Sequence, residues 1–447
     1  MKMKQYVILM TVLLAWPATS GSGSANHHHG LRADLTHIDS GRGFTRNELL
    51  RRMVLRSRAR AAKQLCPSRS GTPVRVTAPV ASGSHVVGYT EYLIHFGIGT
   101  PRPQQVALEV DTGSDVVWTQ GRPCFDCFTQ PLPRFDTSAS DTVHGVLCTD
   151  PICRALRPHA CFLGGCTYQV NYGDNSVTIG QLAKDSFTFD GKGGGKVTVP
   201  DLVFGCGQYN TGNFHSNETG IAGFGRGPLS LPRQLGVSSF SYCFTTIFES
   251  KSTPVFLGGA PADSLRAHAT GPILTTPFLP NHPEYYYLSL KGITVGKTRL
   301  AVPESAFVVK ADGSGGTIID SGTAITAFPR AVFRSLWEAF VAQVPLPHTS
   351  YNDTGEPTLQ CFSTESVPDA SKVPVPKMTL HLEGANWELP RENYMAEYPD
   401  SDQLCVVVLA GDDDRTMIGN FQQQNMHIVH DLAGNKLVIV PAQCDKM

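Results

Sequence analysis

The strongest constraint on how this chain folds is a short acidic pattern that occurs twice. Asp111 opens the tetrad Asp-Thr-Gly-Ser after an apolar, β-branched stretch, and Asp320 opens the tetrad Asp-Ser-Gly-Thr in the same setting. The two Asp residues lie 209 positions apart, about half the length of the region that contains them. One such tetrad is ordinary turn chemistry. Two copies in matching surroundings predict two similar lobes.

The position of each Asp also predicts its chemistry. An Asp that directly follows Val110 or Ile319 is drawn out of water, and burial of a lone carboxylate disfavours its charged form. If the lobes bring Asp111 and Asp320 together, the pair shares one proton over a range of acid pH. One carboxylate then takes a proton from water while the other gives one to a carbonyl oxygen. This predicts general acid–base hydrolysis without a covalent intermediate.

The other tetrad residues support the two carboxylates in this hypothesis. Glycine at the third position lets the backbone approach the Asp closely, and the hydroxyl at the fourth can donate to its outer oxygen. The predicted support residues are Thr112, Gly113, Ser114, Ser321, Gly322 and Thr323.

Composition favours a β-rich, turn-rich protein. The chain has 447 residues, 43 Gly and 31 Pro, and charged residues make up 17%. That length allows two or three domains, and the low charge argues against disorder and against long charged helices. The formal net charge of -1 gives no reason to expect a nucleic-acid partner.

The first residues indicate entry to the secretory pathway. Lys2 and Lys4 precede an apolar run over 6–16, and small residues follow, which predicts a signal peptide over 1–25. The alternative, a membrane anchor, is disfavoured because the run is too short to cross a bilayer, and we expect no membrane span. We therefore expect a secreted protein of the extracellular space or cell wall, with the vacuole as the alternative.

A basic segment over 26–84 follows the signal peptide. It holds eleven Arg and Lys residues against three acidic ones, whereas 85–447 holds 24 basic and 35 acidic residues. Thr45 to Glu48 has the form of a capping box, and the apolar positions after it predict a partly amphipathic helix. Such a helix suits nucleic acid or membrane binding, or a prosegment lying on the acidic body; behind a signal peptide we favour the prosegment. A linker rich in Pro, Gly and Ser over 66–88 is the expected processing site.

Cysteine usage fits an oxidising compartment. Cys66 lies in the basic segment, and eleven further Cys follow, so at least one body thiol lacks a partner within the body. Cys124 and Cys127 form a CxxC pair, but no second pair stands at ligand spacing, so we expect no metal and no organic cofactor. Asn217 and Asn352 open glycan acceptor sequons. Asp115 and the acidic run 412–414 are expected to be solvated loop charges.

The two tetrads resemble the active-site signatures of pepsin-like aspartic proteases. The resemblance covers about residue 90 to the end, and the Cys-rich insert, the stretch 225–231 and the stretch 419–426 are similar to the nepenthesin-like plant branch. It implies a mostly antiparallel, all-β, bilobal fold with a cleft between the lobes, in which Asp111 and Asp320 are catalytic. It also implies polypeptide substrates and a zymogen whose partner is its own prosegment, and we expect a monomer. The expected divisions are 1–25, 26–84, 85–265 and 266–447.

The same resemblance implies a mobile hairpin over the cleft. Tyr172, Gly173 and Asp174 are similar to the flap whose Tyr overhangs the substrate, and Trp118 matches the Trp that bonds such a Tyr. Asn175 replaces the usual Gly after this motif. Because Asn tolerates a left-handed backbone, we expect the turn to survive.

The resemblance further implies a set of disulfides, with the inner cluster open to exchange. The implied pairs are Cys127–Cys206, Cys148–Cys166, Cys153–Cys161, Cys243–Cys444 and Cys361–Cys405. Gly121 stands where the family pattern has a Cys, which implies that Cys124 has no partner.

Two other classes of function remain open at this point. Some relatives with the same fold are non-catalytic inhibitors or binding proteins of the cell wall, and a secreted adhesion module needs no pair of Asp. Because both tetrads are intact, the sequence favours an aspartic endopeptidase acting at acid pH.

Overall fold

The fold is described from a computed structural model, which defines residues 30–61, 92–156, 158–191, 195–214, 217–249, 251–258, 266–348, 359–398 and 402–447. Several sequence predictions fall outside these ranges: the signal peptide, Cys66, the processing linker and the sequon at Asn352.

The first half of the body is built almost entirely from strands. They are β1 (Leu31–His37), β2 (Tyr92–Ile98), β3 (Gln104–Asp111), β4 (Trp118–Gln120), β5 (Asp126–Cys127), β6 (His144–Gly145), β7 (His159–Phe162), β8 (Gly165–Asn171), β9 (Val177–Gly191), β10 (Lys196–Thr211), β11 (Gly220–Gly223), β12 (Ser239–Cys243) and β13 (Thr253–Leu257). Three helices accompany them: α1 (Arg46–Ala61), α2 (Pro151–Ala155) and α3 (Leu231–Gln234).

The second half continues with short strands and one longer helix. The strands are β14 (Leu274–Pro277), β15 (Tyr287–Leu288), β16 (Leu290–Val295), β17 (Thr298–Arg299), β18 (Thr317–Ile319), β19 (Ala327–Pro329), β20 (Gln360–Ser363), β21 (Met378–Leu382), β22 (Ala385–Leu389), β23 (Met395–Tyr398), β24 (Gln403–Val406), β25 (Leu409–Gly411), β26 (Thr416–Ile418), β27 (Met426–Asp431) and β28 (Lys436–Pro441). The helix is α4 (Arg330–Val341), and short 3₁₀ turns occur at 137–139, 304–307, 370–372, 391–393, 420–423 and 444–446.

The two halves share one large sheet. A sixteen-stranded sheet runs from β14, β28 and β27 of the second half through β12, β13, β1, β2 and β3 to the hairpins of the first half. A separate five-stranded sheet, ordered β15-β18-β26-β19-β25, belongs to the second half. Most neighbouring strands are antiparallel, as the family resemblance implied.

A matching parallel pair lies behind each tetrad. β3 pairs with β11 in parallel, so that Asp111 lies opposite Gly223. β18 pairs with β26 in parallel, with Ile318 opposite Met417. The sequence repeat is therefore a structural repeat, because each Asp leaves a strand that is paired to a hydrophobic-hydrophobic-Gly strand.

The main core spans both halves. Strand residues with apolar side chains on the inner face, such as Ile94, Leu108 and Phe204, are fully buried. Helix α4 adds a buried stripe at helical spacing, made of Val332, Phe333, Leu336, Trp337 and Phe340.

The N-terminal segment is integrated into the body. β1 has alternating buried and exposed residues and pairs with β13 on one side and β2 on the other. The predicted capping box is present: the Thr45 N–H donates to Glu48 Oε2 (3.2 Å), and the Glu48 N–H donates to Thr45 Oγ1 (3.2 Å).

Helix α1 also packs against the second half of the chain through apolar side chains. Leu50 and Met53 are fully buried in a cluster with Ile318 and Met417 of the second half. Two ion pairs, Arg32–Asp34 and Arg52–Asp39, lie within the segment itself. Burial of apolar surface therefore contributes to holding the segment on the body.

Two of the implied disulfides are present, and both tie elements distant in sequence. Cys243 at the end of β12 bonds Cys444 near the C-terminus, and Cys361 of β20 bonds Cys405 of β24.

The implied pair Cys127–Cys206 is wrong. Cys127 is bonded to Cys124, and Cys206 is a buried free thiol. The cause is the register between β5 and β10: Cys127 lies beside Asn210, four residues along the strand from Cys206. At ~3.3 Å per strand residue that separation is about 13 Å, too far for a disulfide.

The inner cluster is paired the other way round from the implied Cys148–Cys166 and Cys153–Cys161. The bonds are Cys148–Cys161 and Cys153–Cys166. Cys161 and Cys166 face each other across the β7–β8 hairpin, so either partner is close to both. The observed pairing follows burial. Cys153 of α2 and Cys166 are both buried and bond each other, while the less buried Cys148 and Cys161 form the other bond.

Candidate active site

The first carboxylate is held at the end of a buried strand. Asp111 is fully buried. The Gly113 N–H donates to Asp111 Oδ1 (2.9 Å), and the Ser114 hydroxyl donates to Asp111 Oδ2 (2.5 Å). Each oxygen of this carboxylate therefore has a donor from its own tetrad.

The second carboxylate has the same surroundings. Asp320 is 3% exposed. The Gly322 N–H donates to Asp320 Oδ1 (3.0 Å), and the Thr323 hydroxyl donates to Asp320 Oδ2 (2.6 Å). The roles predicted for the third and fourth tetrad positions are the ones these residues occupy.

Reciprocal hydrogen bonds tie the two tetrads together. The Thr112 N–H donates to Ser321 Oγ (3.0 Å), and the Ser321 N–H donates to Thr112 Oγ1 (2.9 Å). The Ser321 hydroxyl donates in turn to the Val110 carbonyl (2.7 Å). A Cβ atom added to Gly113 would lie only 2.9 Å from Asp320 Oδ1, so the backbone of one tetrad lies against the carboxylate of the other.

This arrangement places two buried carboxylates in one low-dielectric site. Burial, and then the charges of these carboxylates, raise the pKa values of neighbouring tyrosines. Burial raises the pKa of the half-buried Tyr285, Arg415 opposes that rise, and the Asp320 and Asp111 carboxylates reinforce it.

The hairpin β8–β9 carries Tyr172 into this site. The Trp118 indole N–H donates to the Tyr172 hydroxyl (2.7 Å), and Tyr172 is 7% exposed. Burial, followed by the charge of Asp111, raises the pKa of Tyr172 well above its usual value. The Tyr therefore stays a neutral phenol near the first carboxylate.

The turn that follows is closed by polar bonds. The Tyr172 N–H donates to the Ser176 carbonyl (2.8 Å), and the Ser176 N–H donates to Asp174 Oδ1 (2.9 Å). Asn175 has φ +72°, the left-handed conformation that the sequence predicted for this replacement of Gly. Gly173 lies between these residues in the same turn.

Sequence reasoning missed two residues that hold the hairpin. Phe214 packs edge-on against Trp118 (ring centroids 5.4 Å apart) and against Tyr172 (6.4 Å). Asn213 donates from its side chain to the Asp174 carbonyl (3.0 Å). No local pattern marks this pair, since both residues follow β10 and reach the hairpin only through the tertiary fold.

Buried amides support the second tetrad from behind. Asn420 donates to the Ser321 carbonyl (2.9 Å), and Gln423 donates to the Ile418 (3.0 Å) and Asp320 (3.3 Å) carbonyls. The run of polar residues after Gly419 was the available signal, because four buried polar side chains among the five residues 420–424 require hydrogen-bond partners.

The remaining predicted residues have other roles. Asp115 is partly buried beside the first tetrad rather than solvated. In the acidic run, Asp412 pairs with Arg330 and Asp414 with Lys310, while burial raises the pKa of Asp413.

Asn217 is bonded to the N-terminal segment. Its side-chain N–H donates to the Ile38 carbonyl (3.0 Å), and its oxygen accepts from Arg42 (3.0 Å).

The described residues contain no group of three or more His, Cys, Asp or Glu side chains that could hold a metal ion. Within the same ranges, no helix is long and apolar enough to cross a membrane.

Comparison with known proteins identifies the family. A family model described as xylanase inhibitor N-terminal matches residues 92–259, and one described as xylanase inhibitor C-terminal matches 285–441. Nepenthesin-1, an aspartic proteinase of Nepenthes gracilis, is 37% identical over 435 residues, covering 96% of this chain and 95% of that protein. Nepenthesin-2 of the same plant is 35% identical over 98% of this chain and 96% of its own length.

This chain belongs to the nepenthesin-like plant aspartic proteinases. Solved structures extend the likeness to the fold. The crystal structure of basic 7S globulin from soybean superposes with a TM-score of 0.64 at 18% identity, over 93% of this chain and 99% of that one. The crystal structure of edgp superposes with a TM-score of 0.64 at 20% identity, over 79% of this chain and 94% of that one. The fold of this nepenthesin-like chain is thus the mostly antiparallel, bilobal pepsin-like one that its repeated tetrad predicted.

Proposed function

We propose that this chain is a secreted aspartic endopeptidase that hydrolyses peptide bonds in extended polypeptides at acid pH. The observation that carries the proposal is the paired site: two buried carboxylates, each held by a Gly N–H and a hydroxyl, joined by the bonds between Thr112 and Ser321. A matched pair of this kind suits a water molecule shared between two acids.

In the proposed reaction, the Asp111–Asp320 pair carries one negative charge and one proton. The charged carboxylate accepts a proton from a water molecule while the water oxygen attacks the scissile carbonyl carbon. The protonated carboxyl group donates its proton to the carbonyl oxygen. The resulting gem-diol collapses when a proton reaches the leaving amine. The support residues Ser114 and Thr323 keep the outer oxygens occupied, so the inner oxygens face the water.

The hairpin contributes by excluding solvent. Tyr172, held by Trp118, would close over a bound peptide and keep bulk water from the carboxylates. Residues 26–84 would form the prosegment of a monomeric zymogen, with lobes over 85–265 and 266–447. Secretion would deliver the enzyme to the extracellular space, the cell wall or the vacuole.

The test is turnover of acid-denatured globin by the purified full chain between pH 3 and 6. Asp111→Asn and Asp320→Asn should each lower kcat/KM by about 10²–10⁴-fold, because each removes an acid or base from the pair. Asp369→Asn is the matched control: Asp369 is a carboxylate that accepts the Ser371 N–H in a surface turn remote from the two tetrads. Cleavage that persists in Asp111→Asn would contradict the proposal.

A second candidate is a non-catalytic binding or inhibitor protein of the cell wall. It is favoured by the description of the two family models as xylanase inhibitor domains. It predicts that the wild type and Asp111→Asn are equally inactive on globin, and that both slow a purified xylanase.

A further inference from the structure

The acidic residue that follows the first tetrad is directed into a neighbouring loop. The Gly227 N–H donates to Asp115 Oδ1 (2.8 Å). Two backbone bonds run beside it: the Phe224 N–H donates to the Asp111 carbonyl (2.7 Å), and the Gly225 N–H donates to the Ser114 carbonyl (2.8 Å). Three bonds therefore join the loop 223–227 to the loop that contains the catalytic Asp.

The loop is shaped around the Asp115 carboxylate. A Cβ atom on Gly225 would lie 2.5 Å from Asp115 Oδ1, and one on Gly227 would overlap Asp115 Oδ2. Gly223 approaches the Asp115 backbone with the same lack of space. Every second residue of this loop is a Gly in close contact with Asp115. A larger residue at any of these positions would clash with Asp115.

The second lobe lacks this device. Alignment of the tetrads places Ala324 where the first lobe has Asp115. Two backbone bonds join the corresponding loops there as well, although to other carbonyls of the tetrad loop: the Asn420 N–H donates to the Thr323 carbonyl (2.7 Å) and the Phe421 N–H to the Ala324 carbonyl (2.9 Å). The carboxylate is therefore an addition to the first lobe and not a requirement of the fold.

None of the ion pairs in the described part of the chain includes the Asp115 carboxylate. Arg226 of the same loop donates to Asn435 Oδ1 (3.0 Å) and lies 5.6 Å from the ring centre of Tyr286. Arg233 and Tyr286 also face this region.

Burial raises the pKa of Asp115, the Gly227 N–H opposes that rise, and the charge of Asp111 reinforces it. Asp115 therefore keeps its proton to a higher pH than a surface Asp does. When it loses the proton, a second negative charge forms next to the catalytic loop.

We propose that Asp115 is a positioning residue for the hydrolytic reaction: through Gly227 and Ser114 it fixes the geometry of Asp111, and only in the first lobe. This inference rests on the proposed endopeptidase function. A carboxylate that holds Ser114 in place controls the donor to the outer oxygen of Asp111, and small displacements of such groups are costly to rate.

The test compares Asp115→Asn, Asp115→Ala and the control Asp369→Ala in globin cleavage across pH 3–7. Asp115→Ala should lower kcat about 10-fold with little change in KM, because positioning acts on the transition state. Asp115→Asn keeps an acceptor for the Gly227 N–H and should recover most of the rate near the optimum. Its alkaline limb should move to lower pH, because the negative charge that helps the catalytic pair to keep its proton no longer forms beside it. Asp369→Ala should match the wild type.

The outcomes separate this inference from the function beneath it. If the wild type and Asp111→Asn are both inactive, the endopeptidase proposal fails, and the role of Asp115 fails with it. If the wild type cleaves and both Asp115 variants match it in rate and pH profile, only the positioning role is overturned. Equal losses in Asp115→Asn and Asp115→Ala with an unchanged pH profile would also overturn it.

Discussion

At the scale of single residues, a buried histidine connects stability to pH. His430 of β27 is fully buried among Phe240, Tyr242, Phe278 and Tyr286, stacked on Phe240 at 4.4 Å. Neither ring nitrogen has a hydrogen-bond partner among the described residues. Burial, helped by the charge of Arg226, lowers the pKa of His430 to about 3. The ring is therefore neutral in the folded protein at any mildly acid pH.

The low pKa of His430 predicts that the protein loses stability in acid, and that replacing His430 removes this part of the loss. Because the unfolded chain binds the proton near pH 6.5 and the folded one only near pH 3, stability falls as the pH drops between these values. At pH 4.5 the cost is about 3 kcal/mol. His430→Phe should abolish that part of the decline, measured as the free energy of unfolding in denaturant from pH 7 to 4.5.

The exposed His144 supplies the control for this measurement. His144→Gln should follow the wild-type pH dependence. Parallel decline of wild type and His430→Phe would show that His430 is protonated without cost and contradict the prediction.

At the scale of elements, helix α1 and the turn after strand β1 are joined by a buried ion pair. Arg52 lies 3.1 Å from Asp39 Oδ1, with both side chains almost fully buried, and its guanidinium covers the Phe44 ring at 4.0 Å. Sequence patterns predicted the helix and its capping box. They did not predict this pair, since Asp39 and Arg52 come together only when α1 folds back on the turn after β1.

Breaking this pair should loosen the N-terminal segment. Arg52→Met removes the cation from this buried pair, and loss of one partner of a buried pair costs about 3–5 kcal/mol. Hydrogen exchange of residues 31–54 should then become faster while the remaining sheet stays protected. Arg32→Met removes the exposed pair with Asp34 and should change exchange little, since surface pairs contribute about 0–1 kcal/mol. Equal protection in both variants would argue against a structural role for the buried pair.

At the scale of the whole molecule, the C-terminus is bonded back to the first half. The Cys243–Cys444 bond closes a loop of 201 residues, whereas Cys361–Cys405 closes one of 44 within the second half. β12, which ends at Cys243, pairs with β27 from the second half, so the bond reinforces the sheet shared by both halves.

The two bonds should contribute unequally to stability. A cross-link stabilises by limiting the unfolded chain, and the longer loop gains about 1 kcal/mol more. Unfolding of Cys243→Ser/Cys444→Ser in denaturant should therefore show the larger loss of free energy, and Cys361→Ser/Cys405→Ser is the matched comparison. An equal or reversed order would mean that local packing outweighs the chain entropy.

The amino-acid sequence was sufficient to predict the β-rich class and the two similar halves built around the repeated tetrads. These are local or repeated patterns: an Asp after an apolar strand, a Gly that admits close approach and a hydroxyl at fixed spacing need no distant partner to be recognised. The N-terminal capping box belongs to the same class.

Only the tertiary structure decided which distant groups meet. The cysteine partners followed strand register and burial, and Phe214 reached Tyr172 through the fold. Asp115 was expected to be solvated, but its carboxylate accepts a hydrogen bond from Gly227, in a Gly-rich loop more than one hundred residues away. Such contacts depend on how whole strands are placed against one another, and the side chains involved carry no local sign of their partners.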